Sequence, residues 1–343
     1  MYFINSPAFR SSVAELQSGS TRKRISRRNL ASLVLPLPPL AEQGRIVAAI
    51  EEHLSRLDAA VAALEHVRAA LPRYRAAVLK AACEGRLLDK DNDRDRQGRA
   101  PNGTREGWKS TTIGAISNVG TGSTPLTSDP EFYDDGHVPW VTSSALNAPY
   151  VRGPSGFVTE KAVAAHRLQL FPPHTLLVAM YGETRGKSAE LLVPATINQA
   201  IAAIQLTEEN AQYRPFVRLC LLHEHIRLRQ AARGGAQPNL NLSLIRGIRV
   251  NLPPIAEQDR IVAEVDRRLS LADAAERAVS AGLAKAKRLR QAILKRAFEG
   301  KLVPQDPNGE PASVLLERIR RARASAASTA RARKGKRRKA ARK

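Results

Sequence analysis

Two long stretches of the chain repeat apolar residues at alternating steps of three and four. In the first, Val47, Ile50, Leu54, Leu57, Val61 and Leu64 are followed by Leu71 and Val78. In the second, Val262, Val265, Leu269, Ala272, Val279, Leu283, Ala286 and Ile293 keep the same rhythm. Such a rhythm places its residues on one stripe of an α-helix. Two amphipathic helices buried in separate cores would also carry a stripe, but one sustained over about five heptads suits a facing helix better. Each stretch therefore predicts a helix of about forty residues, roughly 60 Å long, packed against the other. Each is entered through two prolines, Pro38-Pro39 and Pro253-Pro254, which can neither continue a strand ladder nor sit inside a helix. Pro72 lies within the first stretch and predicts a kink near Ala69 to Leu71.

The two stretches are copies. Leu37-Pro38-Pro39-Leu40-Ala41-Glu42-Gln43-Gly44-Arg45-Ile46-Val47-Ala48 returns as Leu252-Pro253-Pro254-Ile255-Ala256-Glu257-Gln258-Asp259-Arg260-Ile261-Val262-Ala263 at an offset of 215 residues. The register holds without a gap to Glu84-Gly85 and Glu299-Gly300, and Leu87 matches Leu302. An ungapped register over about fifty residues marks an internal duplication. It extends upstream, where Gly19 matches Gly234 and Ile25 matches Leu240. Residues 1–33 therefore read as the end of a domain whose body is not in this chain, with a helix expected over Ala8 to Leu16 and a short strand over 33–37. Glu42 and Glu257 stand just inside a helix start, where a carboxylate caps backbone N–H groups and complements the helix dipole.

In chain order, residues 34–88 form the first long-helix region, closed by Gly85 as a C-cap. Residues 89–107 are a charged, Gly- and Pro-punctuated linker. Residues 108–251 form the one complete globular domain. Short apolar runs at Val138 to Thr142, Thr175 to Met180, Ala189 to Val193 and Ile201 to Leu206 predict strands, and Phe216 to Arg229 a helix, so the class is α+β. Residues 252–305 are the second long-helix region. Residues 306–343 are a basic tail, expected to be helical at first and then disordered.

Charge narrows the partners. The net charge is +23, and the last 26 residues hold 13 Lys and Arg without an acid. The remainder is still about +10, and a basic body implies a polyanionic partner such as DNA or RNA. The tail is either a non-specific phosphate clamp or a solvated extension. Two cysteines, Cys83 and Cys220, give neither a disulfide framework nor a metal set, which fits a reducing cytoplasm. The seven histidines show no ligand spacing with them. No apolar run is long enough to span a membrane, and no apolar h-region opens the chain.

Three loops of the globular domain gather small, polar and positive residues: Gly120 to Pro125 with Thr121, Gly122, Ser123 and Thr124; Tyr181 to Lys187 with Arg185, followed by Asn198-Gln199; and Arg233 to Asn239 with Gln237. Asn, Gln and Arg read base edges bidentately, and Lys and backbone N–H groups hold phosphates. Gly182 to Ser188 is not a P-loop, because three residues separate its glycines where four are needed. Asn147-Ala148-Pro149-Tyr150 is similar to the Asn/Asp-Pro-Pro-Tyr loop of DNA adenine methyltransferases. Ala148 breaks it, and no Gly-rich cofactor loop lies upstream.

The paired Leu-Pro-Pro-x-Ala-Glu-Gln-x-Arg-Ile-Val entries, Ala297 to Leu302, Gly120 to Pro125, Val138-Pro139-Trp140 and Thr196 to Ala200 together resemble the specificity subunit of type I restriction–modification enzymes, over roughly residues 5–305. The resemblance implies target-recognition domains alternating with two long helices in an antiparallel coiled coil, each domain reading half of a bipartite double-stranded DNA target. It implies no catalytic centre in the subunit. Modification subunits would bring S-adenosylmethionine, and a restriction subunit ATP and Mg. The expected function is to direct methylation and restriction to a specific sequence; the rivals are a stand-alone DNA adenine methyltransferase and a non-specific DNA-binding coiled-coil scaffold. The first recognition domain is missing except for residues 1–33, so the chain is expected to be either a truncated remnant or one half of a self-dimer.

Overall fold

The structure is a computed structural model and describes residues 2–20, 22–88, 105–231 and 240–340. The helices are α1 (Pro7–Glu15), α2 (Arg27–Ala31), α3 (Leu40–Cys83), α4 (Ile113–Ile116), α5 (Glu160–His166), α6 (Arg214–Ala231), α7 (Leu242–Arg246), α8 (Ile255–Phe298) and α9 (Ala312–Ala340). The strands are β1 (Lys109–Thr112), β2 (Ser117–Thr121), β3 (Val138–Val141), β4 (Tyr150–Val151), β5 (Gly156–Val158), β6 (Leu176–Ala179), β7 (Ser188–Leu191), β8 (Thr196–Ile197), β9 (Ile201–Leu206) and β10 (Arg249–Leu252). The fold is α+β, with α3 and α8 as the long helix pair. The chain divides into two units, residues 1–69 with 276–343 and residues 70–275, and both long helices contribute to each. Among the described residues no helix is long and apolar enough to cross a membrane.

In the first unit, the start of α3 packs antiparallel on the end of α8. Ile46, Ile50, Leu54 and Leu57 share a buried cluster with Ala286, Ile293, Leu294 and Ala297, and Val61 packs at its margin. Asp58 pairs with Arg290. Leu64 lies over Gly282, where an added Cβ would meet its Cδ1 at 3.0 Å, so the glycine makes room for the leucine. One predicted position is corrected. Val47 is exposed and Ile46 takes its place. Residues 42, 46 and 50 follow steps of four, so the buried stripe leaves strict heptad spacing at the helix entry.

In the second unit, the end of α3 meets the start of α8. Leu71, Val78, Val265 and Ala272 are buried, while Val262 and Leu269 pack at the edge of the same core. In the first unit Val279 is buried and Leu283 half-buried. The expected kink gives no break in the helix, and α3 continues through Pro72. Proline removes the N–H that would bond the Arg68 carbonyl, and the apolar face on either side, at Leu71 and Val78, keeps the helix seated.

The duplication is visible atom by atom. Gln43 Nε2 donates to the Pro38 carbonyl at 2.9 Å, and Gln258 Nε2 to the Pro253 carbonyl at 3.0 Å. Gly85 and Gly300 have φ of 71° and 69°. After each the chain closes the same cap, Arg86 N–H to Ala81 O and Lys301 N–H to Arg296 O, both 2.8 Å. Asp58–Arg290 in one unit answers Asp273–Arg75 in the other. Ser26 and Asn241 each cap the helix that follows them. Glu42 and Glu257 stand in the first turns of α3 and α8, where a carboxylate complements the helix dipole. The glutamines reach back to the Pro-Pro turn, while Glu257 accepts from Trp108 Nε1 at 3.1 Å and faces Arg105.

Where the copies differ, the difference follows from the globular domain. In the second unit Leu219, Ile245 and Val250 are each 1% exposed; their first-unit equivalents Ile4, Leu30 and Leu35 are 58%, 48% and 56% exposed. The strand expected over 33–37 is not formed. Its counterpart β10 exists because β1 pairs with it antiparallel, and a lone strand has no ladder to hold it. At the other end, α9 carries helix to Ala340, further than expected. Alanine, arginine and lysine are strong helix formers, and Glu317–Arg321 adds an i,i+4 pair.

The globular part of the second unit is built on a five-stranded sheet ordered β2-β9-β6-β7-β4. Leu176, Val178, Ala202 and Ile204 face one core, shared with α6, α7 and the long helices. Leu177, Ala179, Ile201 and Ala203 face a second core with Val141, Leu146 and Phe171. Both faces are covered, which is why β6 and β9 read as unbroken apolar runs. A three-stranded sheet, β5-β3-β8, stands beside it.

Candidate nucleic-acid interface

The sheet brings four loops to one of its ends. β2 runs antiparallel to β9, so Thr121 lies opposite Ala202. β6 is antiparallel to both β9 and β7, which sets Ala179 against Ile201 and Val178 against Ser188. β4 is parallel to β7. Hence the segment after β2, the segment before β9, the β6–β7 turn and the segment before β4 all emerge on the same side. These carry Thr121 to Thr124, Asn198 and Gln199, Tyr181 to Lys187, and Thr142 to Pro149.

The loops are tied to each other. Thr121 Oγ1 donates to the Ile201 carbonyl at 2.7 Å, and Thr124 Oγ1 to Gln199 Oε1. Gly122 passes so close to β8 that an added Cβ would lie 1.6 Å from the Ile197 carbonyl oxygen. Trp140 Nε1 donates to the Ser123 carbonyl at 3.3 Å. Tyr133 donates to the Pro125 carbonyl at 2.7 Å, and burial raises its phenol above the ordinary value. Asn198 turns the chain into β9 by accepting from the Ala200 N–H at 3.2 Å. Gln199 is left exposed.

In the β6–β7 turn, Gly182 and Gly186 have φ of 71° and 76°, the left-handed region that favours glycine. Thr184 is buried beneath the turn, Arg185 and Lys187 are half-buried, and Tyr181 is exposed. The turn leads into a strand, whereas a phosphate-cradling P-loop opens a helix. Lys187 Nζ donates to Asn147 Oδ1 at 2.6 Å, and Asn147 Nδ2 to the Ser144 carbonyl at 2.9 Å. The α6 side chain His225 lies against Gly186, 2.8 Å from where its Cβ would be.

Of the sequence-predicted residues, Thr121, Gly122, Ser123, Thr124, Tyr181, Arg185, Lys187, Asn198 and Gln199 thus meet at one sheet end. Arg233, Gln237 and Asn239 lie outside the described residues. The sequence reading weighed Asn147 only within a broken methyltransferase-like loop, and it missed a hydroxyl group of three, Thr142, Ser144 and Ser155, in which Thr142 Oγ1 lies 2.8 Å from Ser144 Oγ and 3.2 Å from Ser155 Oγ. The parallel pairing of the two-residue strand β4 with β7 carries Asn147 there, a signal too short to read in sequence. Two guanidinium groups lie over the Tyr150 ring, with Arg152 and Arg218 at 5.6 and 5.2 Å from its centre. Glu190 is buried but paired, with His174 Nδ1 at 2.9 Å and Arg214 Nε at 3.2 Å. Among the described residues no group of three or more His, Cys, Asp and Glu could hold a metal ion.

A family of known domains matches this part of the chain. The type I restriction modification DNA specificity domain covers residues 105–276, about half of the sequence. The chain belongs to that family. The EcoBI specificity subunit of Escherichia coli is 28% identical across 93% of this chain and 70% of its own length. The StySPI specificity subunit of Salmonella potsdam is 25% identical across 94% and 71%. Among solved structures, the HsdS subunit from Thermoanaerobacter tengcongensis superposes with a TM-score of 0.56 at 21% identity, covering 88% of this chain and 69% of that one. A chain of a type I R-M system, solved in work on its complex assembly and conformational transition, gives 0.64 at 21% identity, covering 88% and 70%. These likenesses carry the fold, the long helix pair with a β-containing domain. Within this specificity family, the matched residues include the whole five-stranded sheet and its loop end.

Proposed function

We propose that this chain is the DNA sequence-recognition subunit of a type I restriction–modification complex, and that the loop end of the five-stranded sheet meets the DNA. The observation that carries the reading is the convergence of four polar and basic loops at one end of a sheet whose faces are both buried. A rigid sheet holding mobile-length side chains at its rim suits base reading, since phosphate contacts position and base-edge contacts specify. Arg185 and Lys187 take phosphate roles, and Gln199 and Asn147 base-edge roles. The helix pair spaces recognition domains and docks modification subunits, which carry S-adenosylmethionine. A restriction subunit brings ATP and Mg. The chain itself transfers no methyl group. Asn147 is engaged by Lys187 and the Ser144 carbonyl, and Ala148 stands where the methyltransferase loop needs proline. One recognition domain reads half of a split target, and a second such domain, from a longer polypeptide or a second copy, reads the other half. Sedimentation with and without modification subunit separates those two sources.

The test is to purify the chain with its modification subunit and map the methylated adenines. Sequence-specific methylation by the complex, with none by the chain alone in S-adenosylmethionine, is the expected result; methyl transfer by the chain alone overturns it. Lys187→Ala should weaken binding to all sequences and reduce the salt slope by about one. Gln199→Ala should cost about 1–3 kcal/mol on the cognate site and relax a single position. Unchanged binding and methylation patterns in both variants would reject these roles.

A further inference from the structure

We propose that Cys83 and Cys220 form a redox-modification site, at which a peroxide-class oxidant closes a disulfide that ties the end of α3 to α6. The chain has two cysteines, far apart in sequence. The fold of the second unit nevertheless sets their sulfurs 3.7 Å apart. Cys83 is the last residue of α3 and is half-buried; Cys220 is buried in the core shared by α6, α7 and the long helices. A disulfide needs about 2.05 Å between sulfurs, so the pair, already near van der Waals contact, has roughly 1.7 Å left to close. The duplication supplies an internal control. The positions equivalent to Cys83 and Cys220 are Phe298 and Asn5, so the first unit packs the same place without thiols.

The environments assign the order of events. Its hydrogen bond with Cys83, and then burial, push the Cys220 thiol well above its ordinary value. Thiolates are the nucleophiles, so the first attack falls to the more accessible Cys83. Its sulfur takes one oxygen from hydrogen peroxide, giving a sulfenic acid and releasing water. The Cys220 sulfur then attacks the sulfenic sulfur, the S–S bond forms, and the second water leaves. Two thiols lose two electrons in all, and hydrogen peroxide is reduced to two waters. In a reducing compartment the pair rests as two thiols, and a thiol reductant restores it.

The ring so closed runs from residue 83 to residue 220 and takes in most of the globular domain. A loop that long removes much unfolded-chain freedom, so the oxidised protein should melt higher by roughly 5 °C or more. The experiment treats the full chain with hydrogen peroxide, alkylates it under denaturing conditions, and reads intact mass, a non-reducing peptide map and the melting temperature. Expected are a mass lower by about 2 Da with no alkylated thiol, a cross-linked peptide pair holding Cys83 and Cys220, and a raised melting temperature, all reversed by dithiothreitol. Cys83→Ser and Cys220→Ser should each abolish the cross-link. The wild-type mass reading stands alone should either variant fold poorly. Sulfinic acid on Cys83 with Cys220 still alkylated, an intermolecular disulfide, or two free thiols after peroxide would each overturn the proposal.

Discussion

Replacing Ile50 with aspartate should pull apart the helices of the first unit, while the same change at neighbouring Val47 should do little. Ile50 is 1% exposed and sits among Ile46, Leu54, Leu57, Ile293 and Leu294. Losing a buried isoleucine costs about 2–5 kcal/mol, and a carboxylate left there without a partner adds its own desolvation penalty. The ion pair that joins the two helices nearby, Asp58 with Arg290, is partly exposed on both sides. Pairs of that kind contribute roughly 0–1 kcal/mol and cannot compensate. Amide exchange protection across residues 46–61 and 286–297 should therefore fall by roughly a hundredfold or more. Val47 is 41% exposed, so its aspartate variant should exchange like the parent. Damage at Val47 as severe as at Ile50 would restore the predicted stripe, which holds both, and would reject the register in which Ile46 replaces Val47. Val61→Asp and Leu64→Asp should fall between, since both positions are half-buried.

That contrast marks how far sequence could reach. Helix existence, pairing and the duplication were legible because a 3–4 stripe and an ungapped offset are long-range signals. The entry register was not, because Ile46 and Val47 are both apolar and the choice depends on where the helices converge. Strands β6, β7 and β9 were legible as apolar runs bounded by turn residues. Strands of two or three residues, β4, β5 and β8, carry no period of their own and exist through their partners. The strand expected over 33–37 shows the converse: its residues have the right pattern, but among the described residues no strand pairs with them. For the candidate interface, residue type marked Thr121, Lys187 and Gln199. What placed Asn147 beside Lys187 was strand order, 40 residues away in sequence, and no local pattern announces that.

Gly122→Ala should dislodge the first recognition loop and cost the chain its sequence-specific binding. The obstacle is backbone. An alanine Cβ would fall 1.6 Å from the Ile197 carbonyl oxygen and 2.5 Å from its carbon, and no rotamer change relieves that. Ile197 cannot give way easily, since β8 is fully buried and paired in parallel with β3. The loop must therefore lift away from β8. Lifting it strains the Ser123 carbonyl bond to Trp140 and the contact of Thr124 with Gln199, the side chain proposed to read a base edge. Two lost hydrogen bonds and a displaced reader should lower affinity for the cognate site at least about tenfold, at roughly 1 kcal/mol per bond. Binding to unrelated duplexes, carried by phosphate contacts such as Lys187, should change far less. Gly120→Ala is the control two residues away: its Cβ would meet Phe171 Cζ at 3.5 Å, an ordinary contact. Its melting temperature and cognate affinity should stay near those of the parent. Gel-shift titrations of both variants on cognate and unrelated duplexes, with thermal melts alongside, decide the matter. A Gly122→Ala protein that keeps full cognate affinity would separate this loop from sequence reading.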